Sequence, residues 1–139
     1  MHPDDVWGAV GEGWGRNLLL GLSRGNARLA DRFTPHHPAI VRQLHRVVEV
    51  GREHNLAVSV CGEMASDPLM AFTLVGLGIR QLSVSPISLP RVKALIRGMR
   101  VAAAVEAAGA AMDAATADDA ETILRAALHA EVDGELLHT

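Results

Sequence analysis

Two short strand-like runs, Leu56 to Val60 and Gln81 to Ser85, flank a segment that opens with Ser66-Asp67-Pro68 and stays apolar from Leu69 to Leu77. No other feature restricts the possible folds as much. Ser66 or Asp67 followed by Pro68 is a helix start, with a capping side chain and a proline at the first helical position. A helix that is apolar nearly all round must be buried. Short strands joined through such a helix pair in parallel, because a crossover of that length returns the chain in the same direction.

The flanks extend the pattern. Pro38 opens a helix whose apolar residues Ile40, Val41, Leu44, Val47 and Val48 follow helical spacing, and Asn55 suits a left-handed close. Gly76 and Gly78 mark the end of the buried helix. Ser88 and Pro90 begin another, with Val92, Leu95, Ile96 and Met99 at helical spacing. From residue 101 onward the chain reads as helix only: an Ala-rich stretch from Val101 to Met112, then a helix capped by Thr116. Asp118, Asp119 and Glu121 suit that helix's positive end, and Ile123, Leu124, Ala127 and Leu128 supply its apolar face. The tail after Ala130 is expected to fray. Residues 1–16 are an irregular, Gly- and Trp-containing lead. Leu18, Leu19, Leu20 and Leu22 form an apolar run of ambiguous type, and Arg24-Gly25-Asn26 reads as a turn. The fold class is α/β. A parallel sheet of two strands does not stand alone, so the sequence reads as part of a larger α/β architecture.

Composition narrows the function. With 49% hydrophobic and 21% charged residues over 139 positions, the chain is expected to be a soluble folded domain. A net charge of −3 and 3% aromatics give neither a basic field nor stacking platforms for nucleic acid. No apolar run approaches the roughly 18 residues of a membrane span. One cysteine excludes an internal disulfide. The start carries no secretory signal, so a cytoplasmic location is expected.

Candidate chemistry gathers after the strands. Cys61 falls at the carboxyl end of the first strand, where parallel α/β folds bind ligands. A thiol with an ordinary pKa of about 8.5 is mostly protonated at neutral pH and can serve as a proton donor or, once ionised, a nucleophile. A buried, inert cysteine is the commoner arrangement. Gly62 lets a ligand approach the backbone. Glu63 can orient the thiol or simply bind loop amides. Ser66-Asp67-Pro68 needs no role beyond capping. Ser83 and Ser85 can face the same mouth as Cys61, although alternating strand serines are more often structural. Arg24 can hold an anion through its guanidinium fork, or lie in water as a turn residue. His36, His37 and His45 lack a companion at metal-ligand spacing, so no metal ligand is assigned, and His37 is expected at a helix start.

Taken together, these residues resemble a family. The block Val58-Ser59-Val60-Cys61-Gly62-Glu63-Met64-Ala65-Ser66-Asp67-Pro68 is similar to the cysteine loop of enzyme I of the bacterial phosphoenolpyruvate–sugar phosphotransferase system. The likeness continues through Gly76-Leu77-Gly78, Leu82-Ser83-Val84-Ser85 and Leu89-Pro90-Arg91-Val92-Lys93. Upstream it includes Ser23-Arg24-Gly25-Asn26 and His37-Pro38-Ala39-Ile40-Val41. It covers about residues 18 to 128. Pyruvate phosphate dikinase shares the Cys-Gly-Glu core but less of the sequence downstream of it.

The resemblance implies the C-terminal portion of a (β/α)8 (TIM) barrel, two or three βα units followed by C-terminal helices. Residues 17–100 would be the partial barrel and 101–139 the closing helices. The implied reaction moves a phosphoryl group from phosphoenolpyruvate to a protein histidine. Cys61 would protonate the pyruvate enolate, Arg24 would bind the substrate phosphate, and Gly62 would line the site. Mg2+ is the family's cofactor, yet its ligands are missing here. Trp14 falls about where one metal-binding aspartate belongs, Ser23 replaces the aspartate before the arginine, and the other ligand and the phosphohistidine domain lie upstream in the family. Residues 1–16 depart from the family where a strand and a metal ligand belong, as a frameshift or misplaced start codon would produce.

These residues leave three readings. The chain is a terminal piece of an enzyme I-like phosphotransferase, inactive by itself and complemented by the rest of such a chain. Alternatively it is a non-catalytic dimerisation or interaction module derived from that barrel. The third reading is a small thiol-reactive protein using Cys61, which no basic neighbour in the loop supports. A partial barrel exposes a strand edge and unpartnered helix faces, so low solubility, self-association or marginal stability is expected.

Overall fold

The computed structural model describes residues 34–134. The apolar run at 18–22, the turn with Ser23 and Arg24, the lead at 1–16 and the last five residues lie outside the described part. From His36 onward the order is α1 (Pro38–Glu53), β1 (Ser59–Cys61), α2 (Glu63–Ser66), α3 (Pro68–Leu77), β2 (Gln81–Ser83), α4 (Leu89–Gly98), α5 (Val101–Asp113) and α6 (Ala117–Glu131). This is an α/β arrangement, mostly helical, with a small sheet. β1 and β2 pair in parallel, in the register Ser59↔Gln81, Val60↔Leu82 and Cys61↔Ser83.

The helix starts obey the sequence. The Nδ1 atom of His37 accepts the Ala39 N–H at 3.1 Å, with Pro38 in the first turn of α1. An Asp67 carboxylate oxygen accepts the Met70 N–H at 2.9 Å and caps α3. The Thr116 hydroxyl accepts the Asp119 N–H at 3.1 Å and donates to the Asp119 carboxylate at 2.8 Å, closing the start of α6. Such caps satisfy backbone donors that have no partner inside the helix.

The helix ends are equally local. Asn55 takes φ 54°, the Leu56 N–H donates to Gly51 O at 2.7 Å, and the Asn55 N–H donates to Arg52 O at 3.2 Å. Gly78, at φ 102°, closes α3 in the same way, with Ile79 N–H on Leu74 O and Gly78 N–H on Val75 O. Both are Schellman closures built on a left-handed residue.

α3 is the centre of the described part. It sends Leu69, Ala71, Phe72 and Val75 into a core shared with Val92 and Leu95 of α4, the alanines of α5, and Leu124 and Leu128 of α6. Met70 and Leu74 face a second cluster with Val60, Met64, Ala65 and Ile79. Leu77 meets Val41 of α1 and Ala108 of α5. A helix with neighbours on every side must be apolar on every side. Its one buried polar side chain, Thr73, donates to Leu69 O at 2.8 Å.

Five expectations need correction. β1 begins at Ser59, not Leu56, because the Leu56 N–H is already committed to closing α1 and its side chain is exposed. β2 stops at Ser83, not Ser85, because its partner strand ends at Cys61. Glu63 is not in a loop but opens the short helix α2. Gly76 does not mark a helix end. It lies within α3, and a Cβ built there would stand 2.1 Å from Ala104 O. Its hydrogen lets the backbones of α3 and α5 touch. Finally, the fraying expected after Ala130 does not begin there: Glu131 completes α6 and Val132 is buried, while residues 135–139 lie outside the described part.

Glu131 also receives Arg100 as donor through its backbone N–H at 2.9 Å, through Nε at 3.2 and 3.1 Å, and through Nη2 at 2.6 Å. This fork joins the start of α5 to the end of α6. Arg42 donates to Met112 O at 2.6 Å and joins α1 to the end of α5.

Candidate functional site

The sheet brings the candidate residues to one edge. Parallel pairing places the carboxyl ends of β1 and β2 side by side, and the last pair in the register is Cys61 with Ser83. Both residues are exposed, as is Gly62. The commoner arrangement, a buried inert thiol, does not hold here. Val60, between the exposed Ser59 and Cys61, points inward and anchors the strand at 6% exposure. Strand alternation therefore turns Cys61 away from the core.

Gly62 adopts φ 83° and ψ −155°, a backbone region that essentially only glycine reaches at low cost. The chain then enters α2, whose Met64 and Ala65 are buried and fasten the loop from below. Glu63 is exposed in the first turn of α2, at the positive end of the helix.

Ser66 has a part that capping does not describe. Asp67 performs the capping. The Ser66 hydroxyl donates to Gly62 O at 3.1 Å and accepts the Ser85 N–H at 3.3 Å. Ser85 Oγ lies 3.0 Å from Ser88 Oγ, on the residue that precedes α4. Ser85 therefore faces the Cys61 loop through its backbone, and its hydroxyl serves the start of α4. A serine directly before a competent aspartate cap is redundant as a cap, and that redundancy was the one available sequence signal for this bridge.

Among the described residues, no group of three His, Cys, Asp or Glu side chains is placed to hold a metal ion. His36 lies 2.9 Å from the Glu121 carboxylate, which Arg125 also pairs with, and His45 lies 3.7 Å from Glu49, which Arg46 also approaches. Arg24 belongs to the residues outside the described part.

Residues 16–101 match the family described as PEP-utilising enzyme, PEP-binding domain. That span runs through the strand ends and the cysteine loop. The chain belongs to the PEP-utilising enzyme family. Among its relatives, a multiphosphoryl transfer protein of Xanthomonas campestris pv. campestris is 35% identical over 105 residues, 76% of this chain and 12% of that protein. A protein of Salmonella typhimurium named for the phosphoenolpyruvate-dependent phosphotransferase system is 33% identical over 120 residues, 86% of this chain and 14% of the relative. A phosphoenolpyruvate-protein phosphotransferase of Chlamydia trachomatis is 45% identical over 64 residues, 46% of this chain and 11% of the relative. The chain thus spans only a small share of the length of the relatives it matches. Among its described residues no helix is long and apolar enough to cross a membrane.

Proposed function

We propose that the chain is the C-terminal part of a phosphoenolpyruvate-binding (β/α)8 barrel from an enzyme I-like phosphoenolpyruvate–protein phosphotransferase. Residues 17–100 contribute the last βα units, and 101–139 the closing helices. The observation that carries this reading is the exposed Cys61 thiol at the carboxyl end of β1, paired with Ser83 and followed by a glycine in a glycine-only conformation.

The chemistry suits that placement. When the phosphoryl group leaves phosphoenolpyruvate for a protein histidine, the remainder is the enolate of pyruvate. The Cys61 S–H gives its proton to C3 of that enolate, which leaves a thiolate and completes pyruvate. Gly62 keeps the approach to the thiol free of a side chain. Arg24 pairs with the substrate phosphate.

Mg2+ supplies charge neutralisation at the phosphoryl group when bound, as the family reading has it. By the family resemblance, the sequence carries Trp14 and Ser23 where the family's acidic residues stand. No step is assigned to the metal in this chain. Phosphoryl transfer in this reading draws on barrel residues beyond the described ones.

Complementation tests the reading. The chain is mixed with an enzyme I-like relative shortened where this chain's match begins, and transfer from phosphoenolpyruvate to the relative's histidine is measured. Wild-type chain restores transfer, and the Cys61→Ala variant fails to. No restoration, or equal restoration by both, would sink the proposal. A second reading, an interaction module, draws on the exposed apolar residues Leu89 (51%) and Ile96 (43%) of α4. It gains if the chain binds intact enzyme I without affecting transfer.

A further inference from the structure

We propose that Ser66 is a positioning residue for Cys61: its hydroxyl pins the carbonyl of Gly62, the residue after the thiol, to the chain leaving β2. The proposal deepens the proton-donor reading of Cys61 and rests on it.

Sheet pairing ends at Cys61↔Ser83. The next residue, Gly62, has the largest backbone freedom to lose of any residue type. The backbone at Gly62 is therefore the part of the loop least restrained by its own sequence. A proton donor must be held within about 2.6–3.2 Å of its acceptor, so a loose peptide there is a liability. Gly62 O receives two donors from one residue, the Ser66 N–H at 3.3 Å and the Ser66 hydroxyl at 3.1 Å. A serine bonded to the carbonyl four residues back is common and would mean little alone. The second bond sets Ser66 apart. The same hydroxyl oxygen accepts the Ser85 N–H from a segment 19 residues away, beyond the end of β2. One hydroxyl thus links the backbone leaving both strands at the edge that carries Cys61. Through Ser85 Oγ and Ser88 Oγ, 3.0 Å apart, the link reaches the start of α4.

These hydrogen bonds lie at the surface, where water competes for them, so the hydroxyl orders the loop more than it stabilises the fold. That difference is measurable. Cys61 is the only cysteine in the chain, so alkylation by iodoacetamide reports it alone. Wild-type, Ser66→Ala and Ser66→Thr full-length chains are compared by the pH profile of alkylation, by amide hydrogen exchange at Ser85 and by thermal midpoint. Ser66→Ala is expected to speed Ser85 exchange by roughly 2- to 10-fold and to change the Cys61 alkylation rate by a similar factor. The midpoint should move by no more than about 4 °C. Ser66→Thr, which keeps the hydroxyl, should restore both rates.

An unchanged alkylation profile in Ser66→Ala would overturn the proposal, whether or not Ser85 exchange rises. So would a large fall in midpoint that Ser66→Thr does not repair, since that is the signature of a structural serine. In the complementation assay, Ser66→Ala should lower kcat and leave KM for phosphoenolpyruvate unchanged. If the wild-type chain restores no transfer, the phosphotransferase reading fails separately, and the thiol and exchange measurements still decide the role of Ser66.

Discussion

Cys61 and Gly62 show how strongly one backbone conformation can shape a site. Strand alternation turns the thiol outward, and the next residue takes φ 83° and ψ −155° to lead the chain into α2. A side chain at position 62 would be strained there at a cost of about 1–3 kcal/mol. Gly62→Ala is therefore expected to lower stability by that amount and to alter the alkylation rate of Cys61. Thermal denaturation and iodoacetamide kinetics on the purified variant check both. Unchanged values would mean that the loop reaches its conformation without needing glycine. The outward thiol was not legible in the sequence. Cys61 stands in a short run that reads equally well with either face buried, and Val60 was selected for the core by packing on Met64 and Ile79.

At the scale of elements, the crossing of α3 and α5 is the decisive contact. The alanines 104, 107, 108 and 111 give α5 a low profile, and Gly76 gives α3 none at that point. Interaxial distance follows side-chain size at the contact, so small residues on both helices allow a close approach. Gly76→Ala would drive a methyl group into the Ala104 carbonyl. The expected loss is about 3 kcal/mol or more, because backbone cannot rotate aside as a side chain can. Urea unfolding would measure it, and a loss well below that would show that the helices separate at little cost. The helix starts at Pro38, Asp67–Pro68 and Thr116 and the left-handed close at Asn55 were legible, since capping depends on neighbours in sequence. The role of Gly76 was not. Near a helix end, a packing glycine and a closing glycine look alike until a second helix is placed against them.

For the described part as a whole, two carboxylates of α6 are expected to confer acid sensitivity: Glu131, which joins α6 to the start of α5 through Arg100, and Glu121, which pairs with Arg125 of its own helix and with His36. Hydrogen bonds from Arg100, by side chain and then backbone, hold Glu131 below the usual carboxylate range. A hydrogen bond from Arg125 does the same for Glu121, with His36 adding to it and burial opposing it. Both groups thus bind protons more weakly folded than unfolded. Their contribution to stability is fully present above the ordinary carboxylate pKa of about 4.3 and is lost as pH falls through the lower native values. The thermal midpoint should fall on acidification below about pH 4.5, and a Glu121→Gln, Glu131→Gln double variant should flatten that limb. An unchanged acid limb in the double variant would show that other groups carry the sensitivity. The link between Arg100 and Glu131 spans 31 residues and holds the end of α6, just past the Ala130 where fraying was expected to begin.

The sequence by itself determined where α1, α3 and α6 start and where α1 closes, that the strands run parallel, and which family the cysteine loop resembles. These depend on short-range capping, on crossover length and on contiguous motifs. Only the tertiary structure decided that Cys61 is exposed opposite Ser83, that Gly76 is a contact rather than a terminus, that Glu131 is held by Arg100, and that Ser66 bridges two loops. Each of those joins residues distant along the chain, and no local pattern records a partner that folding alone brings near.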